Sequence, residues 1–415
     1  MVGQRIRYYR KVKGLTLEEL SQGICSVSYL SKIEKAGAKS SDEVIIQLCE
    51  RLGISPEEAD NKEILDMLNE WNMMMVDRKF DQAKQFLKNV EEKMEGITNP
   101  ELLLRFDLFY LRYLLSEEDL ESCKNVIKKI EMLKDILTDE LKFYYFLILG
   151  QYNYYIEDFK ASLDLYLKAE ELLKSLQLPN VEVAVLYYYI ALTYSRLTYI
   201  MDVLNYTYKA LDIFDKEYNY SRSADCHVLL GIGNRRIHNY SQAEYHYKQA
   251  LKVAESFKDE FLCGVIYHNL GYIFSCLNDS KKAIENYKTS LVYKENQPNK
   301  TKYRTYYLIA NELWKIGDKK QALEWLSKIK NDIKNADSEL YYLYKVLEYQ
   351  INDTKGIKFE NLLSKKSIPY FEKMNFWQYM AEHSEILANY YYEISQYKKA
   401  SYYYRLANEV RKKLI

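Results

Sequence analysis

A single register recurs through most of this 415-residue chain, and it narrows the possible folds more than any other feature. The stretch GIGNRRIHNYSQAEYHYKQAL begins at Gly231, and GYIFSCLNDSKKAIENYKTSL begins 40 residues later at Gly271. A small residue holds this place at Gly150, Ala191, Gly231, Gly271 and Ala310, in steps of 41, 40, 40 and 39; Ala388 follows 78 later. A second, mostly small position lies 12 residues further on, at Ser162, Val203, Ala243, Ala283, Ala322 and Ala400, with Ala83 and Cys123 extending it toward the N-terminus. Tyr166, Tyr247, Tyr287 and Tyr404 each stand four beyond it. Small residues let paired helices approach closely, and the aromatic rings fill the space between neighbouring pairs. Glycine and proline number only 13 and 5, too few for the turns of a β-rich fold. The chain therefore reads as all-α, with about eight or nine helix pairs from about residue 63 onward and a poorly matched pair around 340–370. Pro100, Pro179, Pro298 and Pro369 fall in the predicted loops between pairs, where a missing N–H is harmless.

The small–large pattern resembles the tetratricopeptide repeat, with longer helices than its nominal period of about 34 residues requires. That resemblance implies a right-handed superhelix with a concave groove that binds peptides. It also implies that the first helix of each pair faces inward. Residues just after its small position then line the groove: Gln151, Tyr154, Arg196, Asn234, Arg235, Asn311, Trp314, Asn389 and Tyr392, with Asn269 added by analogy with tetratricopeptide clamps. Each asparagine amide both donates and accepts, so a row of them suits a peptide backbone. The arginines suit a carboxylate.

The first 60 residues do not follow this register and read as four short helices. Ile6, Tyr9 and Val12 mark the apolar side of the first, and Gly14 ends it. Thr16 caps the second with Glu19 as its capping-box partner. Cys25 sits in a tight turn, and Ser26 caps a third helix holding Val27, Leu30 and Ile33. A break at Gly37 and Ser40–Ser41 leads to a fourth helix through Leu52, and Pro56 closes the unit. Two short helices joined by a tight turn, the second with a polar side, form a helix-turn-helix. Its second helix would carry the reading edge, with Ser26, Ser28, Tyr29 and Lys32 toward DNA. Arg5 and its basic neighbours Arg7, Arg10, Lys11 and Lys13, together with Thr16, Lys35 and Lys39, would grip phosphates.

The run LTLEELSQGICSVSYLSKIEKAG resembles the Cro/repressor-like helix-turn-helix, and GICSVSYLSKIE more narrowly resembles the peptide-sensing regulators of the Rap/NprR/PlcR family. The chain's length is nearer the NprR branch. The resemblance implies a quorum-sensing transcription regulator. Residues 1–60 would bind a double-stranded operator, and residues 61–415 would bind a short re-imported signalling oligopeptide and oligomerise, as a dimer or a tetramer. It also implies an alternative, a Rap-like adaptor that binds a sporulation response regulator.

Other readings find little support. Lys+Arg and Asp+Glu are equal at 59, so the chain as a whole is not a basic nucleic-acid coat. No Gly-rich phosphate loop, HExxH or GxSxG occurs, and the five histidines read as surface or packing residues, so no catalysis and no cofactor or metal are expected. The six cysteines form no CxxC pair and read as reduced core residues. Without a signal peptide or a membrane span, the chain reads as cytoplasmic.

Overall fold

A computed structural model describes residues 2–35, 41–55, 62–333 and 338–412. Gly37, Lys39, Ser40 and Pro56, and the expected boundary near residue 60, lie outside the described residues. The described chain is helical, with no strand. It divides into two compact units, Met1–Leu229 and Leu230–Ile415.

The first unit opens with the head helices α1 (Val2–Val12), α2 (Leu17–Ser21), α3 (Val27–Glu34) and α4 (Asp42–Leu52). They close around Ile6, Leu20, Leu30, Ile33, Leu48 and Leu52. Gly14 is left-handed at φ 69°, as its place after α1 requires. Two apolar expectations fail here. Val12 is 51% exposed, whereas Tyr9 packs half-buried against this core as expected, and Tyr8 is buried as well. Val27 is also exposed, because it opens α3 above the core. Cys25 is half-buried rather than enclosed.

The pairs of the first unit follow as α5 (Lys62–Val76) with α6 (Phe80–Met94), α7 (Pro100–Ser116) with α8 (Leu120–Leu133), α9 (Asp139–Tyr155) with α10 (Phe159–Leu172), and α11 (Asn180–Leu197) with α12 (Ile200–Lys216). Helix α13 (Tyr220–Arg236) runs across the boundary between the units. The second unit continues with α14 (Tyr240–Ser256), α15 (Glu260–Cys276), α16 (Ser280–Tyr293), α17 (Tyr303–Lys315), α18 (Lys319–Ser327) and α19 (Ser338–Ile351). Then come α20 (Ile357–Leu362), α21 (Ile368–Lys373), α22 (Trp377–Glu393) and α23 (Tyr397–Arg411).

The small–large register is a steric lock. A Cβ on Gly150 would stand 2.4 Å from the Tyr166 ring, and one on Gly231 would stand 2.4 Å from the Tyr247 ring. On Gly271 it would meet Tyr287 at 2.6 Å. All three rings are fully buried. Where the first helix carries Ala191 or Ala310 instead, the residue 16 later is the smaller Thr207 or Leu326. At Ala388 the methyl is kept together with a tyrosine; Tyr404 is only half-buried, and its hydroxyl donates to Asn389 Oδ1 at 2.5 Å.

The turns within pairs repeat as well. A left-handed residue is followed by an N-cap acceptor: Glu118 before Asp119, Glu157 before Asp158, His238 before Asn239, Asn278 before Asp279, and Gly317 before Asp318. Each cap contributes about 1 kcal/mol. The non-glycine residues bear a left-handed conformation that costs about 1–2 kcal/mol each, which is how a glycine-poor chain makes such turns.

Pro369 departs from expectation. It lies inside α21, and a π-helical turn at Leu363–Ser367 joins α21 to α20. The wider turn accommodates the missing N–H, so the second helix of this pair is irregular and escapes the repeat register.

Candidate functional site: a reading head and a polar groove face

In the head, α3 presents Ser26, Ser28 and Lys32 to solvent, with Lys35 just past its end. Ser26 Oγ accepts from the Tyr29 N–H at 3.2 Å and starts the helix. Tyr29 is half-buried, and its hydroxyl accepts from the Ser41 N–H at 3.3 Å, tying α3 to the start of α4. Thr16 is committed to the capping box: Glu19 N–H donates to Thr16 Oγ1 at 3.1 Å, and Thr16 N–H donates to Glu19 Oε2 at 2.7 Å. The backbone and hydroxyl donors of Thr16 hold the Glu19 carboxyl below its usual range.

The basic face of α1 is not where the sequence suggests. Arg5 is 2% exposed and donates to the Ser55 carbonyl, so burial removes it from the surface. Arg10 forks onto Glu34 at 2.6 and 2.9 Å and also donates to the Leu15 carbonyl. Arg7 and Lys11 both pair with Asp135, just beyond α8, and the Tyr9 hydroxyl donates to the Thr98 carbonyl at 3.2 Å. Helix α1 therefore seats the head on the second helix pair.

The groove candidates separate between the units. In the first unit, Gln151 is buried, while Arg196 Nε donates to the Tyr154 hydroxyl at 2.9 Å and lies 5.8 Å from the Phe159 ring centre. The same unit contains a buried polar knot across three first helices. Arg112 forks onto Glu182 at 2.9 and 3.1 Å, and Asn72 donates to the same carboxylate, which is 0% exposed. This knot ties α5 to α7 and α11.

In the second unit, the Asn234 and Asn269 amides each donate back to the carbonyl four residues earlier, Leu230 and Val265, at 2.9 Å. Asn311 is half-buried on α17. Asn389 turns to Tyr404 of α23, so its amide is engaged with the second helix of its own pair. Trp314 takes Lys319 over its ring at 5.4 Å, and Tyr392 packs edge-on against Tyr397; both lie in the last turn of a first helix, against the start of the second helix of the pair. Within the second unit, two of the expected asparagines thus spend an amide hydrogen on their own helix and a third engages Tyr404.

A tighter polar cluster forms beside Arg235. Its guanidinium lies 4.4 Å over the Tyr272 ring, and the Gln378 amide donates at 3.1 Å to both the Tyr272 hydroxyl and Glu382 Oε1. Arg304 pairs with Glu339 at 2.7 Å and donates to the Tyr379 hydroxyl. Burial pushes the phenols of Tyr272, Tyr307 and Tyr379 up. Sequence reasoning missed Tyr272, Arg304, Gln378, Tyr379 and Glu382. A signal was present: Arg304 and Tyr307 stand six and three residues before Ala310, and Glu382 stands six before Ala388. Those offsets continue the same helical face toward the N-terminal half of each first helix, whereas the expected groove residues sit mostly in the C-terminal half, after the small position.

The histidines behave as packing residues where they are buried. Burial holds His268 neutral, with its pKa down to about 3, and its Nδ1 lies 2.9 Å from Thr305 Oγ1. His383 is likewise lowered by burial to about 3; it bonds to Ser367 beneath Phe371. Among the described residues no cluster suits a metal ion, and no helix is long and apolar enough to cross a membrane.

Comparison with known proteins bears on the family and the fold. A helix-turn-helix family profile matches residues 6–58, and a profile for an uncharacterized protein conserved in bacteria (DUF2225) matches residues 233–345. The transcriptional activator NprA of Geobacillus stearothermophilus is 33% identical over 404 residues, covering 95% of this chain and all of that protein. The chain belongs to the NprR-type branch of the Rap/NprR/PlcR family. Beyond this branch, the regulatory protein RapD of Bacillus subtilis is 26% identical over 347 residues, covering 82% of this chain and 97% of RapD. The solved structure of NprR with its cognate peptide NprX shares the fold, with a TM-score of 0.65 at 22% identity over 85% of this chain and all of that one. A helix-turn-helix ahead of an all-helical repeat array is thus the architecture of this NprR-type chain.

Proposed function

We propose that this protein is a peptide-responsive transcription regulator. The observation that carries the reading is the pairing of an exposed α3 edge with a repeat array, in a chain alike to NprA along nearly its full length. Residues 1–60 serve as the output head. Ser28 and Lys32 read base edges and phosphate, and the exposed Val27 methyls offer an apolar contact to thymine. Lys35 adds a phosphate contact. Residues 61–415 receive a short oligopeptide and assemble the protein as a dimer or tetramer, because paired half-sites need two heads. The free cysteines suit a reducing cytoplasm. A second reading, favoured by the extent of the likeness to RapD, has the array also bind a response regulator.

The test is selection of fragmented genomic DNA by the full chain, with and without a heptapeptide library, then titration of the best fragment. Wild type enriches discrete fragments, and peptide changes their recovery. Lys32→Ala weakens binding at physiological salt and lowers the salt slope by about 1. Recovery of bulk DNA only, in both conditions, refutes the reading.

A further inference from the structure

We propose that Arg7 and Lys11 form a second phosphate grip on the head, which Asp135 masks by standing in for a DNA phosphate, so that the seat of the head on the repeat array competes with DNA binding. The proposal rests on the DNA-binding reading and adds a masked contact to it.

The grip is already shaped for one anion. Arg7 and Lys11 stand four residues apart on α1 and share a side of that helix. Arg7 Nη2 pairs with Asp135 Oδ2 and Lys11 Nζ with Oδ1, so the two cations hold the two oxygens of a single anionic group. A phosphate of the DNA backbone offers oxygens of the same kind to Arg and Lys. The Arg7, Lys11 and Asp135 side chains are 23%, 25% and 40% exposed, so these ion pairs can open to water without unfolding the head.

The grip also moves with the reading edge. Helix α1 crosses the end of α3 so closely that a Cβ on Gly3 would stand 2.1 Å from the Ile33 carbonyl oxygen, and Arg10 clamps Glu34 beside it. Arg7 lies about one turn along α1 from that crossing. Lifting the head from the array therefore carries Arg7 and Lys11 along with Lys32 and Lys35 as one body.

The seat is looser than the head it holds. The head closes around an apolar core, whereas the seam beside α1 is partly polar and incompletely filled. Gln4, Asn99, Glu101, Leu104 and Leu141 line a void there of about 50 Å³, room enough for water. Tyr8 is buried in the same seam, and that burial, with the nearby Asp107 charge, pushes its phenol up. Asp107 takes Lys129 on Oδ1 at 2.7 Å, but among the described residues its buried Oδ2 has no hydrogen-bond partner. A buried carboxylate oxygen left unsatisfied favours the state that returns it to water, which here is the lifted head.

The test titrates the full chain against a labelled duplex of mixed sequence over a salt series, read by fluorescence anisotropy. Such a duplex reports backbone contacts, which do not depend on sequence. Asp135→Asn tightens binding by about twofold to fivefold, the factor that a partly exposed pair commands. It also steepens the salt slope by about 1, the counterion release of one more phosphate contact. The same substitution in an Arg7→Gln, Lys11→Gln background gains nothing, because the masked grip is gone. No tightening by Asp135→Asn overturns the proposal. So does an equal gain in both backgrounds, which would mean that the acid only repels DNA at a distance. Either result leaves the DNA-binding reading intact, whereas no binding by wild type or any variant at the lowest salt overturns both.

Discussion

Gly231→Ala isolates the steric lock, because helix propensity and packing predict opposite signs. Alanine is favoured over glycine in a helix by about 1 kcal/mol, so local reasoning expects stabilisation. The added Cβ, however, would stand 2.4 and 2.7 Å from atoms of the Tyr247 ring, where ordinary carbon contacts are about 3.5–4.0 Å. That ring is fully buried and must move by about 1 Å with no free space to enter. Overpacking of this kind costs about 1–3 kcal/mol, and a trapped ring belongs at the upper end. The expected net effect is a loss of about 2 kcal/mol, read as a lower urea midpoint at an unchanged slope. The clash disappears when Tyr247 is shortened, as the Ala310–Leu326 pair of the same protein already illustrates. In a Tyr247→Leu background, Gly231→Ala should therefore stabilise by about 1 kcal/mol, a coupling of about 3 kcal/mol across the cycle. A Gly231→Ala protein more stable than wild type, or a cycle without coupling, would refute the lock.

Other perturbations probe the first unit. Arg112→Met leaves the fully buried Glu182 charge without its cation and should cost about 3–5 kcal/mol in urea unfolding, most of it recovered by adding Glu182→Leu. A single-variant cost under about 1 kcal/mol would mean that the knot is not buried in solution. Asp135→Asn should loosen the seat of the head by about 0.5–1 kcal/mol, the range for a partly exposed pair, seen as faster hydrogen exchange in α1. Partial burial opposes the Asp135 charge, but the hydrogen bond from Lys11 and the charge of Arg7 outweigh it and hold the carboxyl below its usual value. A depressed carboxylate stabilises above its unfolded pKa, so this contribution is present above about pH 4 and is lost as the pH falls further. Exchange in α1 that accelerates on acidification in wild type but not in Asp135→Asn bears this out; identical pH profiles contradict it.

The sequence by itself determined the local and periodic features. The capping box at Thr16, the Ser26 cap, the turn at Gly14 and the 40-residue alternation of small and large residues all depend on neighbours within one helix pair. Contacts of that range leave a pattern in residue spacing. The parts of the lock were legible as a 16-residue spacing, but not their contact: the pattern alone puts the rings between neighbouring pairs, and the structure sets each ring on the glycine of its own pair. The irregular pair was visible only as a gap in the register, since a π turn before Pro369 shifts the phase of the residues beyond it.

Tertiary structure decided where the charges go. Arg5, Arg7 and Lys11 read as one basic strip beside a DNA-binding helix. Folding buries the first and gives the other two to Asp135, which stands 128 and 124 residues away from them in sequence. The asparagine row read as a ladder, but two amides bond back to their own helices and a third turns to Tyr404. Conversely, Gln378 and Glu382 had no visible tie to Arg235 until α13, α15 and α22 came together. Helix spacing repeats because backbone geometry repeats. Ion pairing depends on the path of the whole chain, which no window of residues encodes.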